Sequence, residues 1–327
     1  MEDPRRTLVI QIPCHNEEEV LPQVLASLPK KVDGIGRIIA LVIDDGSTDR
    51  TVEIARAHGA EVLRLPVKRG LARAFLAGLE RAVSLGADIV VNTDGDNQYR
   101  GEDIPRIVEP IVRGQADLVI GTRPVASIQS FSPTKKLLQR LGSAATRLAS
   151  GTTIEDAPSG FRAMTRDAAM RLHVFNRYTY TVETIIQAGQ KGMSVTSVPV
   201  GVNPVTRPSR LMRGPASYIA RQLNVMVRVF MTYRPFRFFA IPGIVIGGLG
   251  AMLLVRFLYF YATGDGRGHV QSVVIGSMLA GVGFALVIVG LVADLISVNR
   301  QLLEELDWRL RRLEHDGLPR RGTSDRT

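Results

Sequence analysis

Two apolar stretches near the end of the chain, 238–261 and 270–296, restrict its fold more than any other feature. A bilayer core of ~30 Å is crossed by about 20 apolar residues in a helix, and each stretch is long enough. Lipid offers the backbone no hydrogen-bond partner, so a stretch crossing it must be helical. The linker 262–269 is short and polar, which predicts a membrane hairpin. Gly247, Gly248, Gly250, Gly276, Ala280 and Gly283 would let the two backbones approach closely. Phe257, Tyr259, Phe260 and Tyr261 suit an aromatic belt, and Arg256 can snorkel to the far headgroups.

Charge supplies an orientation. The formal net charge is +10, and no acidic residue lies between Glu183 and Asp265. Arg207, Arg210, Arg213, Arg221, Arg228, Arg234 and Arg237 all fall in that interval. With Arg300, Arg309, Arg311 and Arg312 after the second stretch, they predict that both flanks face the cytoplasm; Arg267 in the linker is a weak counter-signal. No zinc-finger or RNA-binding signature accompanies the basic charge, which argues against a nucleic-acid partner. Cys14 is the sole cysteine, so no intrachain disulfide can form. The polar start leads straight into an apolar strand without a signal peptide. A multi-pass protein of the cell membrane, with its bulk in the cytoplasm, is expected.

The segment 218–230 reads as a basic amphipathic helix. Ile219, Leu223, Met226 and Phe230 share one face; Ser217, Arg221, Asn224 and Arg228 share another. Such a helix next to a span lies in the interface; an ordinary surface helix is the alternative. A charged helix at 299–314 carries Leu302, Leu303, Leu306, Leu310 and Leu313, with Trp308 isolated among them. It suits packing on the upstream domain, on a second protomer or on the membrane, so a homo-oligomer is left open. The expected organisation is a cytoplasmic domain at 1–213, a juxtamembrane helix at 214–237, a hairpin at 238–298 and a C-terminal helix with a disordered tail at 299–327.

Upstream, strand-like and helix-like stretches alternate. Residues 8–13, 37–43, 61–65, 88–91 and 117–121 read as strands; 20–28, 51–58, 71–85 and 104–113 read as helices. This order predicts an α/β fold with a mostly parallel sheet covered on both faces. Ligands of such sheets gather beyond the carboxyl ends of the strands. Polar clusters follow Ile12, Ile43, Val91 and Ile120, all at strand carboxyl ends, which points to one site.

The cluster after Val91 includes Asp94-Gly95-Asp96-Asn97-Gln98. Two acids one residue apart at a strand end point the same way, and the amide adds another oxygen. The set suits Mg²⁺ or Mn²⁺ of the kind that bridges a diphosphate. A solvated turn is the plainer alternative. Asp44-Asp45-Gly46-Ser47 closes the earlier strand, where an acid can accept hydrogen bonds from a base or ribose. Ser47 or Asp49 suits the cap of the next helix.

Ile12-Pro13-Cys14-His15-Asn16-Glu17-Glu18, Asp44-Asp45-Gly46-Ser47, Arg69-Gly70-Leu71 and Asp94-Gly95-Asp96-Asn97-Gln98 stand in this order. Together they resemble the inverting family 2 glycosyltransferases of the GT-A fold. Gly121-Thr122-Arg123 and Asp156-Ala157-Pro158-Ser159-Gly160-Phe161-Arg162 resemble the dolichyl- and polyprenyl-phosphate sugar synthases among them. The hairpin is similar to that of the bactoprenol glucosyltransferase branch. The resemblance implies that Pro13, His15, Asn16 and Glu17 line a nucleotide pocket, with Asp44 or Asp45 near the base and Arg69-Gly70 beside it. It implies that Asp94 contacts the nucleotide-sugar donor and that Asp96 and Gln98, with Asp94, hold Mn²⁺ or Mg²⁺. Arg123, Ser159 and Arg162 would lie near the acceptor phosphate of a polyprenyl lipid, and Arg207 and Arg210 would close over the diphosphate. His15 stands where a tyrosine is frequent.

A phosphate acceptor is already anionic and needs little general-base help. A hydroxyl acceptor would need a carboxylate base, for which Glu183, Glu155 and Asp156 are candidates; Glu183 equally suits a structural role. Absence of a Gln-x-x-Arg-Trp motif argues against resemblance to the processive polysaccharide synthases. A non-catalytic membrane scaffold with a degenerate transferase fold is the alternative from another class.

Overall fold

The computed structural model describes residues 6–124, 142–144, 146–148, 150–174, 180–204, 227–228, 231–264 and 269–316. Chain contacts divide the protein into two units. One comprises Met1–Gln222 with Glu305–Thr327, the other Leu223–Glu304.

The first unit is built on seven strands: β1 (Thr7–Cys14), β2 (Arg37–Asp44), β3 (Glu61–Arg64), β4 (Ile89–Asn92), β5 (Leu118–Thr122), β6 (Arg162–Thr165) and β7 (Val195–Pro199). Their order across the sheet is β3-β2-β1-β4-β6-β5-β7. All pairings are parallel except those of β6, which runs antiparallel to both β4 and β5. The helices with described bounds are α1 (Leu21–Ser27), α2 (Thr51–Ala57), α3 (Leu71–Ser84), α4 (Ile104–Val112), α5 (Arg166–Arg171) and α6 (Thr181–Gln190), and residues 142–144, 146–148 and 150 are also helical.

Strand alternation separates the core into two layers. Val9, Ile43, Val90 and Ile120 face a cluster with Phe75 and Leu79 of α3. Leu8, Ile10, Ile12, Val91 and Val119 face a cluster with Ile104, Ile107 and Val108 of α4. Burial on both faces explains why β1 and β4 read as nearly unbroken apolar runs. Strands β6 and β7 and helices α5 and α6 are not announced by the sequence pattern, and β6 shows why. Only four residues long, it opens on a fully buried arginine, so it carries no apolar run to mark it.

In the second unit, α7 (Pro235–Ala262) and the start of α8 (Val270–Asp316) are long and apolar enough to cross a membrane. Their apolar side chains are largely exposed, Met252 by 72% and Met278 by 71%, unlike those of helices in a soluble core. The helices touch through glycine. A Cβ on Gly243 would lie 2.8 Å from the Gly283 carbonyl oxygen, and one on Gly250 would lie 2.6 Å from that of Gly276. Gly248, grouped with these in the sequence pattern, faces open space. The Arg300 guanidinium lies 4.7 Å over the Tyr233 ring and 3.5 Å from the Glu304 carboxylate.

The sequence pattern suggests a span followed by a separate charged helix, but α8 is one unbroken helix of 47 residues. No glycine or proline between Gly290 and Gly317 interrupts it. Its last turns belong to the first unit, where Trp308 joins the α3-side core. The Trp308 indole N–H donates to Asp167 at 3.2 Å, and Arg171 covers the ring at 4.0 Å. Trp308 is thus an anchor, and the upstream domain is the surface it docks on. Leu302, Leu303, Leu306, Leu310 and Leu313 remain exposed. Of the predicted juxtamembrane helix, most lies outside the described residues.

Candidate active site at the strand carboxyl ends

The loops after β1 and β2 are sewn together. Asn16, in a left-handed conformation at φ 55°, donates its backbone N–H to Ser47 Oγ at 2.9 Å and accepts from the Thr48 N–H at 2.9 Å. The Glu17 N–H donates to Thr51 Oγ1 at 2.9 Å, and His15 Nδ1 lies 2.9 Å from the Asp45 carbonyl oxygen. His15 and Asn16 thus lie against the Asp44-Asp45-Gly46-Ser47 turn, Glu17 reaches Thr51 beyond it, and Pro13 pairs with Ile43 in the sheet. Asp44 accepts from the Ser47 N–H at 2.9 Å, and its other oxygen lies 3.3 Å from Arg64 Nε. Both Asp45 oxygens are engaged by the backbone N–H groups of Arg69 and Gly70, at 2.6 and 2.8 Å. Asp45 thus fixes the entry to α3, where donors left over by the helix favour an anion. The Arg69 side chain is exposed, and Gly70 takes φ 90°, a conformation open to glycine.

The acidic loop follows β4. Asp94 is half-buried, while Asp96 is exposed and accepts from the Gln98 N–H at 3.1 Å. Burial, then the like charge of Asp96, pushes the Asp94 carboxyl up to about 7, against the pull of Arg123 and Arg162. Among the described residues no three or more His, Cys, Asp or Glu gather as a metal site. The available set is Asp94, Asp96 and Gln98. Asp94, pushed towards protonation by the like charge of Asp96, and Asp96 itself are the hard oxygen donors that suit a divalent cation, while Gln98 meets Asp96 through its backbone N–H.

Opposite lies the turn 156–160. A Cβ on Gly160 would sit 2.9 and 3.0 Å from the Asp94 carboxylate oxygens and 3.0 Å from the Tyr180 hydroxyl, so any side chain there would displace a neighbour. The Gly160 carbonyl accepts from Asn92 Nδ2 at 2.9 Å, and the same amide donates to the Tyr180 hydroxyl at 2.8 Å. Gln11 Nε2 in turn donates to Asn92 Oδ1 at 2.9 Å. A buried polar chain therefore runs from the centre of the sheet to the site.

The arginines assigned to an acceptor phosphate are largely committed to protein. Arg123 donates Nε and Nη2 to the two Asp156 oxygens, at 2.8 and 2.9 Å. Arg162 is fully buried; Nη1 donates to the Thr181 carbonyl at 3.3 Å and to Thr184 Oγ1, and Nη2 donates to the Ser159 carbonyl. It pins the turn to the start of α6. Ser159 is also fully buried. Glu183 lies buried in the first turn of α6, and Glu155 is exposed. Arg207 and Arg210 lie outside the described residues. Tyr99, Asn92, Gln11 and Tyr180 carry no role in the sequence pattern. Gln11 and Asn92 are marked there only as single polar residues on strands otherwise apolar, and Tyr99 and Tyr180, outside the strands, are not marked.

The residues 9–172 match the model of the family described as glycosyl transferase family 2. The chain belongs to that family. This transferase is 31% identical over 206 residues to an undecaprenyl-phosphate mannosyltransferase of Micrococcus luteus, a match covering 60% of this chain and 82% of the relative. A low-salt glycan biosynthesis hexosyltransferase of Haloferax volcanii is 26% identical over 289 residues, covering 87% of this chain and 67% of the relative. Among solved structures, the glucosyl-3-phosphoglycerate synthase of Mycobacterium tuberculosis in complex with Mn²⁺, uridine diphosphate and glucosyl-3-phosphoglycerate has a TM-score of 0.56 at 23% identity. That match covers 70% of the transferase and 80% of the synthase chain and shows a shared fold. The expected GT-A sheet and the glycosyltransferase activity are thereby borne out.

Proposed function

We propose that this transferase moves one hexose, with inversion, from a UDP- or GDP-sugar to a polyprenyl phosphate at the cytoplasmic membrane face, without processive growth. The observation that carries the reading is the abutment of Asp94 on Gly160, which makes the acidic donor loop and the downstream turn walls of one site. Relatives named for undecaprenyl-phosphate and polyprenol-phosphate mannosyl transfer support the acceptor.

In this reading Pro13, His15, Asn16, Glu17 and Arg69-Gly70 wall the nucleotide, with Asp44 or Asp45 near the base. Asp94 meets the donor; Asp94, Asp96 and Gln98 would hold Mn²⁺ or Mg²⁺, which supplies charge neutralisation for a departing diphosphate. A phosphate oxygen of the lipid attacks C1 of the sugar from the face opposite the diphosphate. The new C1–O bond forms as the old one breaks, and the electron pair leaves with the nucleoside diphosphate. Arg123 and Arg162 shape this half of the site by holding Asp156, Ser159 and Thr181, and they add positive potential beside it. Asp156, bonded three times to Arg123, is poorly placed to accept a proton, which favours an acceptor that has none to lose. Arg207 and Arg210 are assigned to the diphosphate. The helices α7 and α8 are assigned to a membrane hairpin, with the basic flanks cytoplasmic.

A second reading, transfer to a hydroxyl of a glycolipid or lipid-linked glycan, is favoured by the glycan-biosynthesis relative, whose similarity extends over 87% of the chain. The two are separated by treating radiolabelled lipid product with mild acid. A glycosyl phosphate releases the label as free monosaccharide, as the main reading requires; label released within a larger glycan, or retained on the lipid, establishes a glycosidic link to a hydroxyl instead.

A further inference from the structure

Tyr99 follows directly on the acidic loop, yet its hydroxyl and ring contacts reach across the site. Its hydroxyl accepts from the Gly160 N–H at 3.0 Å and lies 3.5 Å from Ser159 Oγ. The ring stacks on Phe161 at 5.1 Å, and Arg123, itself held by Asp156, lies 6.0 Å over it. The side chain is 4% exposed, so these contacts are dry. The backbone around it is also fixed: Tyr99 bridges Val202, and the Gln98 carbonyl accepts from the Asn203 N–H at 2.9 Å.

We infer that Tyr99 is a positioning residue that holds the Ser159–Gly160 peptide of the acceptor side in register with the Asp94–Gln98 loop of the donor side. Gly160 is held through both of its backbone polar groups. Its carbonyl is held by Asn92, from the strand below, and its N–H by Tyr99. Asn92 ends β4 just ahead of the acids, and Tyr99 follows directly after them, so the two holds flank the acidic loop. Because Gly160 touches Asp94, any slip of this peptide changes the gap between the donor carboxylate and the turn. Both reactants must be placed to within fractions of an ångström for in-line attack, so a rigid link between the walls governs transfer more than it governs binding of either reactant.

The inference rests on the division into donor and acceptor walls proposed above. The substitution Tyr99→Phe keeps the ring and its stacking but leaves the buried Gly160 N–H without its acceptor. In full-length enzyme, kcat for transfer is expected to fall about tenfold or more, while the KM for the nucleotide sugar and the Mn²⁺ requirement stay within about twofold. The control Ile111→Ala, near the end of α4 remote from the site, thins the core but keeps the hydroxyl and its stack, so it lowers the melting temperature while kcat stays near wild type. A kcat of Tyr99→Phe equal to wild type would overturn the inference. So would an equal loss in kcat and donor affinity, or a loss in kcat that Ile111→Ala reproduces. The ratio is read on whichever acceptor, lipid phosphate or hydroxyl, the wild type uses. Failure of polyprenyl phosphate to accept sugar therefore sinks the proposed function while still deciding the role of Tyr99.

Discussion

Arg123 and Asp156 form a closed pair: Nε and Nη2 of the arginine lie 2.8 and 2.9 Å from the two carboxylate oxygens, and the Arg123 backbone N–H adds a bond at 3.1 Å. The pair joins the end of β5 to the turn ahead of β6, and Asp156 is only 1% exposed. Removing one partner leaves the other charge buried, at a cost of roughly 3–5 kcal/mol. Asp156→Ala should therefore lower the urea midpoint and abolish transfer together. Arg123→Lys, which loses the two-pronged geometry, should retain the fold and lose most of the activity. Wild-type stability for Asp156→Ala in a denaturant titration would show that the pair is not a structural clasp.

Gly160→Ala tests the abutment on Asp94. The added methyl would meet the carboxylate oxygens near 3 Å, displacing Asp94 or the turn. A misplacement of about 1 Å can cost on the order of a hundredfold in rate. The expected result is a kcat loss of that order with a melting temperature close to wild type. Full activity would mean that the two walls do not need their close contact.

The raised Asp94 carboxyl gives a pH dependence with a definite sign. Its folded pKa is about 7, above the ordinary 3.8, so the metal-free folded state holds a proton that the unfolded state has released. Stability of the metal-free protein should therefore fall as pH rises from about 4 to about 7 and level off above. A cation must displace that proton, so Mn²⁺ affinity should strengthen by up to about tenfold per pH unit below 7 and flatten above it. Calorimetric titration at pH 6, 7 and 8 in buffers of different ionisation enthalpy reads both the affinity and the released proton. An affinity that ignores pH across this range would remove Asp94 from the metal set.

Much of this site was legible because βα chemistry repeats at strand ends: the turns after β1, β2, β4 and β5 each end an apolar run in polar residues. Arg37–Asp44 and Leu71–Ser84 agree closely with their apolar periodicity. What stayed hidden depends on contacts between residues far apart in the chain. Arg162 reads as a phosphate ligand by motif, yet burial makes it a pin for the Ser159 carbonyl. Asp45 reads as a partner for a base, yet its two oxygens hold the Arg69 and Gly70 amides. Trp308 reads as isolated because its partners, Asp167 and Arg171, lie some 140 positions earlier.

Trp308 supplies a further prediction. Truncating a buried tryptophan costs about 3–5 kcal/mol, and here it also removes the N–H bond to Asp167 and the Arg171 contact. Trp308→Ala should make the first unit unfold earlier in urea, and Trp308→Phe should recover part of the loss. An unchanged urea midpoint for Trp308→Ala would show that the end of α8 adds no stability to that unit.

The most direct measurement is mass spectrometry of lipid recovered after incubating detergent-purified enzyme with Mn²⁺ or Mg²⁺, a panel of nucleotide sugars and undecaprenyl or decaprenyl phosphate. The account predicts one new species, the lipid phosphate plus a single hexose, formed from one donor and absent with Asp96→Ala. Nucleotide release with no glycosylated lipid phosphate, for every donor in the panel, would contradict it.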